Sequence, residues 1–69
     1  MTIGEKLKKL RGRKKSKDVA KDIGITISAL SNYENDYRIP RDETKRKIAK
    51  YYKRSVEEIF FWELTTLKV

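Results

Sequence analysis

The sequence predicts an all-α fold, a compact five-helix bundle followed by a short extended C-terminal tail. Three observations predict it. Apolar residues recur at helical spacing, as in Ile3, Leu7 and Leu10 or in Ile48 and Tyr52, which share one face with Thr44. Two Ser/Thr-x-x-Glu patterns, Thr2 with Glu5 and Ser55 with Glu58, mark helix starts near either end of the chain. Gly12, Gly24 and the loop holding Pro40 then divide the intervening residues into segments of one helix each.

The elements follow in order. Thr2 opens the first helix, and Gly12 ends it, with Lys6, Lys8 and Lys9 on its outer surface. Arg13, Lys14 and Lys15 form a basic run with Arg11 and Lys17 around it, expected as a phosphate-facing edge rather than a merely solvated turn. Ser16 is expected to cap a short second helix with Val19, Ala20 and Ile23 turned inward. The start of that helix has unpaired N–H groups and the positive end of the helix dipole. Lys17 in its first turn is unfavourable unless an anion lies nearby. Gly24 suits a left-handed C-terminal position, and Thr26 can cap a third helix starting at Ile27. The spacing between the second and third helices is that of a helix-turn-helix. A loop at 35–40 leads to a fourth helix over about 42–52, and Ser55 starts a short fifth helix ending near Phe60. The segment at 61–69 is apolar and β-prone and has no helix cap. It either folds back on its own bundle or meets a second copy of the chain, and the second reading makes Phe61, Trp62, Leu64 and Leu67 dimer contacts.

Composition limits what such a bundle can do. With 69 residues the chain forms one small domain, and without cysteine it has no disulfide to support its core. The absence of histidine as well removes the common metal ligands and the usual near-neutral acid–base group. No catalysis, cofactor, metal site or small-molecule ligand is expected. No apolar run approaches the ~20 residues of a membrane span and the N-terminus has no signal-peptide core, so a cytoplasmic location is expected. The formal charge of +8 instead favours a polyanionic partner.

The third helix offers the surface for one. Leu30 and Tyr33 fall on one face, leaving Ile27, Ser28, Ser31 and Asn32 outward. That outward face is uncharged in a chain where 41% of residues are charged. Small polar side chains of this kind allow a helix to approach base edges in a major groove.

Residues 24–35 (GITISALSNYEN), 38–43 (RIPRDE), 48–52 (IAKYY) and 55–61 (SVEEIFF) together resemble the Cro/CI-type helix-turn-helix regulators, the XRE family. The resemblance runs from Ile3 to Phe61. It implies a lambda-repressor-like DNA-binding domain over 1–61, followed by the tail at 62–69. It also implies that the third helix lies in the major groove of an operator half-site, with Ile27, Ser28 and Asn32 contacting bases and Ala29 and Ser31 at the margins. Asn32 can pair with adenine, Ser28 with either base type, and Ile27 can cover a thymine methyl. The family's phosphate contacts map to Ser16 and Lys17 and to Asn35, Arg38 and Arg41. The resemblance further implies a partly buried ion pair of Arg11 with Glu34.

The chain departs from the family pattern at two places. Lys15-Ser16 stands where Thr-Gln is common, which shifts the expected phosphate contact toward Lys15 or Lys17. Asn35-Asp36 replaces the usual Asn-Gly, putting an acid beside the expected DNA surface. The function expected is that of a transcriptional regulator, a repressor in its simplest form, bound as a homodimer to an inverted repeat on double-stranded DNA. The alternative is an antitoxin-like interaction module that binds another protein through residues 61–69.

Overall fold

A computed structural model describes residues 2–61, so Trp62, Leu64, Leu67 and the rest of the expected tail lie outside the described residues. Five helices follow one another: α1 (Ile3–Arg11), α2 (Ser16–Ile23), α3 (Ile27–Glu34), α4 (Asp42–Tyr52) and α5 (Val56–Phe60). No strand occurs among the described residues. The all-helical expectation holds element for element.

The helix ends follow the local chemistry. Thr2 and Ser55 each accept an N–H from the glutamate three residues on, and each glutamate returns a bond to the cap's own backbone N–H. Thr26 accepts from Ala29 N at 3.0 Å. Gly24 ends α2 at φ 91°, ψ 34°, in the left-handed region that a Cβ disfavours. One boundary differs from expectation. Ser16 is the first helical residue of α2 rather than its cap; Lys15 occupies the cap position in an extended conformation, and no side chain caps the helix. The backbone turns helical one residue earlier than the hydroxyl rule suggests, leaving the first N–H groups of α2 without a side-chain acceptor.

Each helix sends one fully buried apolar residue to a common centre: Leu7, Val19, Leu30, Ile48 and Ile59. Burying a side chain of this size contributes about 1.5–3 kcal/mol, so every helix is held by the others rather than by its own length. Ala20, Ile23, Ala49 and Phe60 complete the core, with Tyr33, Tyr51 and Tyr52 packed against it. α3 packs on α1 and α2, whereas α4 packs on α2 and α5. α3 is therefore gripped from behind, with its outer side uncovered among the described residues.

Candidate nucleic-acid interface

The outer side of α3 is built from the start of the helix onward. Ile27 is 51% exposed although it is a large aliphatic residue. Ser28 and Ser31 are exposed, while Ala29 and Asn32 are half-buried. No acidic or basic residue occupies the first or last turn of α3 apart from Glu34, which is only 4% exposed. The outward surface of this helix is thus neutral, and its one charge is turned into the protein.

Glu34 meets Arg11 there. Arg11 Nε donates to Glu34 Oε2 at 2.7 Å and Arg11 Nη2 to Glu34 Oε1 at 3.1 Å, a two-pronged pairing across α1 and α3. Arg11 Nη1 also donates to the Lys14 carbonyl at 2.9 Å, which fixes the basic turn before α2. The hydrogen bonds to Glu34 raise the pKa of Arg11 further above its ordinary value. Tyr52 lies near this pair, and its hydroxyl has no hydrogen-bond partner among the described residues. Burial, followed by the negative charge of Glu34, pushes its pKa up to about 12.

Two groups of exposed cations lie before and after α3 in the chain. At the first, Lys15 and Lys17 are exposed and Ser16 half-buried, around the uncapped start of α2. At the second, Asn35, Arg38 and Arg41 are all exposed in the loop between α3 and α4. Asn35 turns its side-chain amide back onto α3, donating to the Ser31 carbonyl at 2.8 Å and to Ser31 Oγ at 3.3 Å. Tyr37 and Arg38 both donate backbone N–H groups to the Asn32 carbonyl, at 2.9 and 3.3 Å. The loop is thereby wound tightly against the last turn of α3.

Three residues outside the sequence-derived set also shape this region. Asp36 adopts φ 61°, a left-handed conformation that glycine takes more readily. Its carboxylate faces α1 instead of the outer surface: Thr2 Oγ1 donates to Asp36 Oδ2 at 2.6 Å, and Gly4 N–H donates to Asp36 Oδ1 at 2.8 Å. The Thr2 hydroxyl bond, then the Gly4 N–H bond, hold the Asp36 carboxyl below its ordinary pKa. Gly4 allows this approach, since a Cβ there would come within 2.7 Å of the Glu34 carbonyl carbon and 2.8 Å of Asp36 Oδ2. The departure at Asn35-Asp36 was visible in the sequence, but its connection to Thr2 and Gly4 had no local signal.

The order of the helices, the turn at Gly24 and the exposed neutral face of α3 define the motif, and a family model described as helix-turn-helix matches residues 5–59. The chain belongs to the XRE family of helix-turn-helix regulators. It is similar to the HTH-type transcriptional regulator ImmR of Bacillus subtilis (strain 168), with 36% identity over 59 residues, covering 83% of this chain and 46% of that protein. The chain spans about half the length of the curated relative it matches. Membership in this XRE family supports DNA-binding transcription regulation and not an enzymatic role. Among the described residues no His, Cys, Asp and Glu group is arranged to hold a metal, and no helix is long and apolar enough to cross a membrane.

Proposed function

We propose that this XRE-family domain is a sequence-specific regulator, a repressor in its simplest form, that reads an operator half-site with α3 in the major groove. The observation carrying this reading is the neutral, exposed outer face of α3 in a domain that exposes cations both at the start of α2 and in the loop after α3. In it Ile27, Ser28 and Asn32 contact base edges, with Ala29 and Ser31 at the margins. Ser16, Lys15 and Lys17 hold a phosphate at the uncapped start of α2, where N–H groups and the helix dipole favour an anion. Arg38, Arg41 and Asn35 hold phosphates on the other side. The Arg11–Glu34 pair fixes α3 to α1 without adding charge to the reading face. A homodimer, acting in the cytoplasm, would present two such helices about 34 Å apart to an inverted repeat. Phe61 remains 37% exposed at the end of α5, where a second copy could pack.

Selection of bound sequences from random duplex DNA tests the reading. An inverted repeat with half-sites one helical turn apart is the expected result, and recovery of no preferred sequence would overturn it. With the selected duplex in hand, Asn32→Ala should weaken cognate binding by about 1–3 kcal/mol and relax preference at one position per half-site. An equal loss on cognate and scrambled duplexes would remove Asn32 from the reading set.

A further inference from the structure

We propose that Asp36 is a positioning residue for duplex binding, which holds the cationic loop after α3 in register by gripping the N-terminus of α1. The proposal rests on the reading of α3 and that loop as the DNA surface.

An acid next to a DNA surface is expected to repel it. Asp36 occupies the turn between the last residues of α3 with their C-cap Asn35 and the loop cations Arg38 and Arg41. Its carboxylate, however, takes two hydrogen bonds from α1, one from a backbone N–H and one from a hydroxyl. The Thr2 hydroxyl has a double role: it accepts from Glu5 N at 3.1 Å as the cap of α1 and spends its own proton on Asp36. Gly4 N–H is one of the first N–H groups of α1, which have no partner within the helix. Asp36 thus caps α1 from a distant part of the chain, while the positive end of that helix accommodates its charge.

The same grip fixes the loop. Asp36 N–H donates to the Tyr33 carbonyl at 3.3 Å, and the next two N–H groups converge on the Asn32 carbonyl. A residue with φ 61° at this point directs the chain away from α3, and the side-chain bonds to α1, added to these backbone bonds, help to hold a non-glycine residue there. Farther along, Pro40 is buried and anchors the other end. Between the two anchors Tyr37 is 78% exposed and Ile39 70% exposed, so few packing contacts hold the middle of the loop. Beyond its own backbone bond to the Asn32 carbonyl, Arg38 therefore depends on Asp36 for its placement, as a contact residue depends on the shell that supports it.

Two accounts of Asp36 predict opposite signs. If its charge acted directly on DNA, Asp36→Gly would tighten binding, since it removes an anion and installs the residue that best tolerates this φ. If Asp36 positions the loop, the same change weakens binding. The test uses the full chain as wild type, Asp36→Gly, Asp36→Asn, Thr2→Val and Thr2→Ser. Affinity is measured between about 50 and 200 mM salt, on the duplex selected by the wild type and on a scrambled duplex of equal length, with thermal melting recorded for each variant.

Asp36→Gly should bind both duplexes about tenfold more weakly, with a salt slope shallower by about one to two units. Thr2→Val, which leaves the carboxylate charged, should move in the same direction, so the decision does not depend on Asp36→Gly folding. Asp36→Asn keeps an acceptor for Gly4 and tolerates the left-handed conformation, and Thr2→Ser keeps the hydroxyl; both should recover most of the affinity. Unchanged or tighter binding by Asp36→Gly, or an unchanged slope in Thr2→Val, would overturn the proposal, as would a loss confined to the selected duplex. If the wild type selects no sequence, base reading fails while the slopes on the scrambled duplex still decide the role of Asp36. A wild type that binds no duplex at all overturns both.

Discussion

Arg11 and Glu34 show how one residue pair can serve a surface that it does not touch. A carboxylate at the end of α3 would, if exposed, repel a phosphate backbone; buried and paired, it ties the helix to α1 instead. Glu34 is 4% exposed on its side chain against 22% for Arg11, so the acid is the more costly partner to strand. Arg11→Ala should therefore destabilise the domain by about 3 kcal/mol, because the buried carboxylate loses its counter-charge together with its hydrogen bonds. Glu34→Gln, which leaves an oxygen to accept from Arg11 and strands no buried anion, should lose less. Urea unfolding of the two variants checks this, and an Arg11→Ala midpoint equal to that of the wild type would show that the pair contributes nothing. The arginine and glutamate were legible only through family resemblance, since no spacing rule joins positions 11 and 34. The two-pronged geometry and the additional bond to the Lys14 carbonyl came from the fold.

At the scale of elements, the helix ends carry much of the local specification, and they are where sequence and structure agree best. Thr2, Thr26 and Ser55 cap because the chemistry of a cap is contained within four residues. Ser16 is the exception, displaced one residue from the expected cap position, where helix boundaries are least determined by local sequence. The Asp36 grip was illegible for the opposite reason: it joins residues 34 and 32 positions apart and uses the spare proton of a hydroxyl already assigned to a cap. The caps also set an acid limit. Backbone N–H bonds from Thr2 and Ser55 lower the carboxyl pKa of Glu5 and Glu58 below the ordinary glutamate value, and the Thr2 hydroxyl lowers that of Asp36 below the ordinary aspartate value. Depressed folded-state values mean that these contributions are fully present above the ordinary carboxyl range and are lost as pH falls through the lowered values. Melting temperature should hold from neutrality to about pH 5 and then drop. Glu58→Gln, whose amide can still bond Ser55 but cannot titrate, should flatten that acid limb; a limb of unchanged steepness would rule out the α5 capping box as a contributor.

Over the whole molecule, the question is which of the 18 lysines and arginines face DNA and which only surround it with positive potential. The proposed docking uses four: Lys15, Lys17, Arg38 and Arg41. Arg46, Lys47 and Lys50 lie exposed on α4, which packs on α2 and α5 rather than beside α3. Charges placed this way speed encounter but release no counterions at the bound surface, so they act on association rate more than on the salt dependence of affinity. At about 0.9 per neutralised phosphate, four contacts give a slope of about −3.6 per half-site in log affinity against log salt. Neutralising Lys47 and Lys50 together to glutamine should slow association at low salt and leave that slope in place. Neutralising Lys17 alone should reduce it by about one unit per half-site on every sequence. If instead the α4 variant reduces the slope by about two units, then α4 touches the backbone. The domain would then be turned so that α3 no longer enters the groove by its neutral face, and the assignments of Ser28 and Asn32 would have to be abandoned.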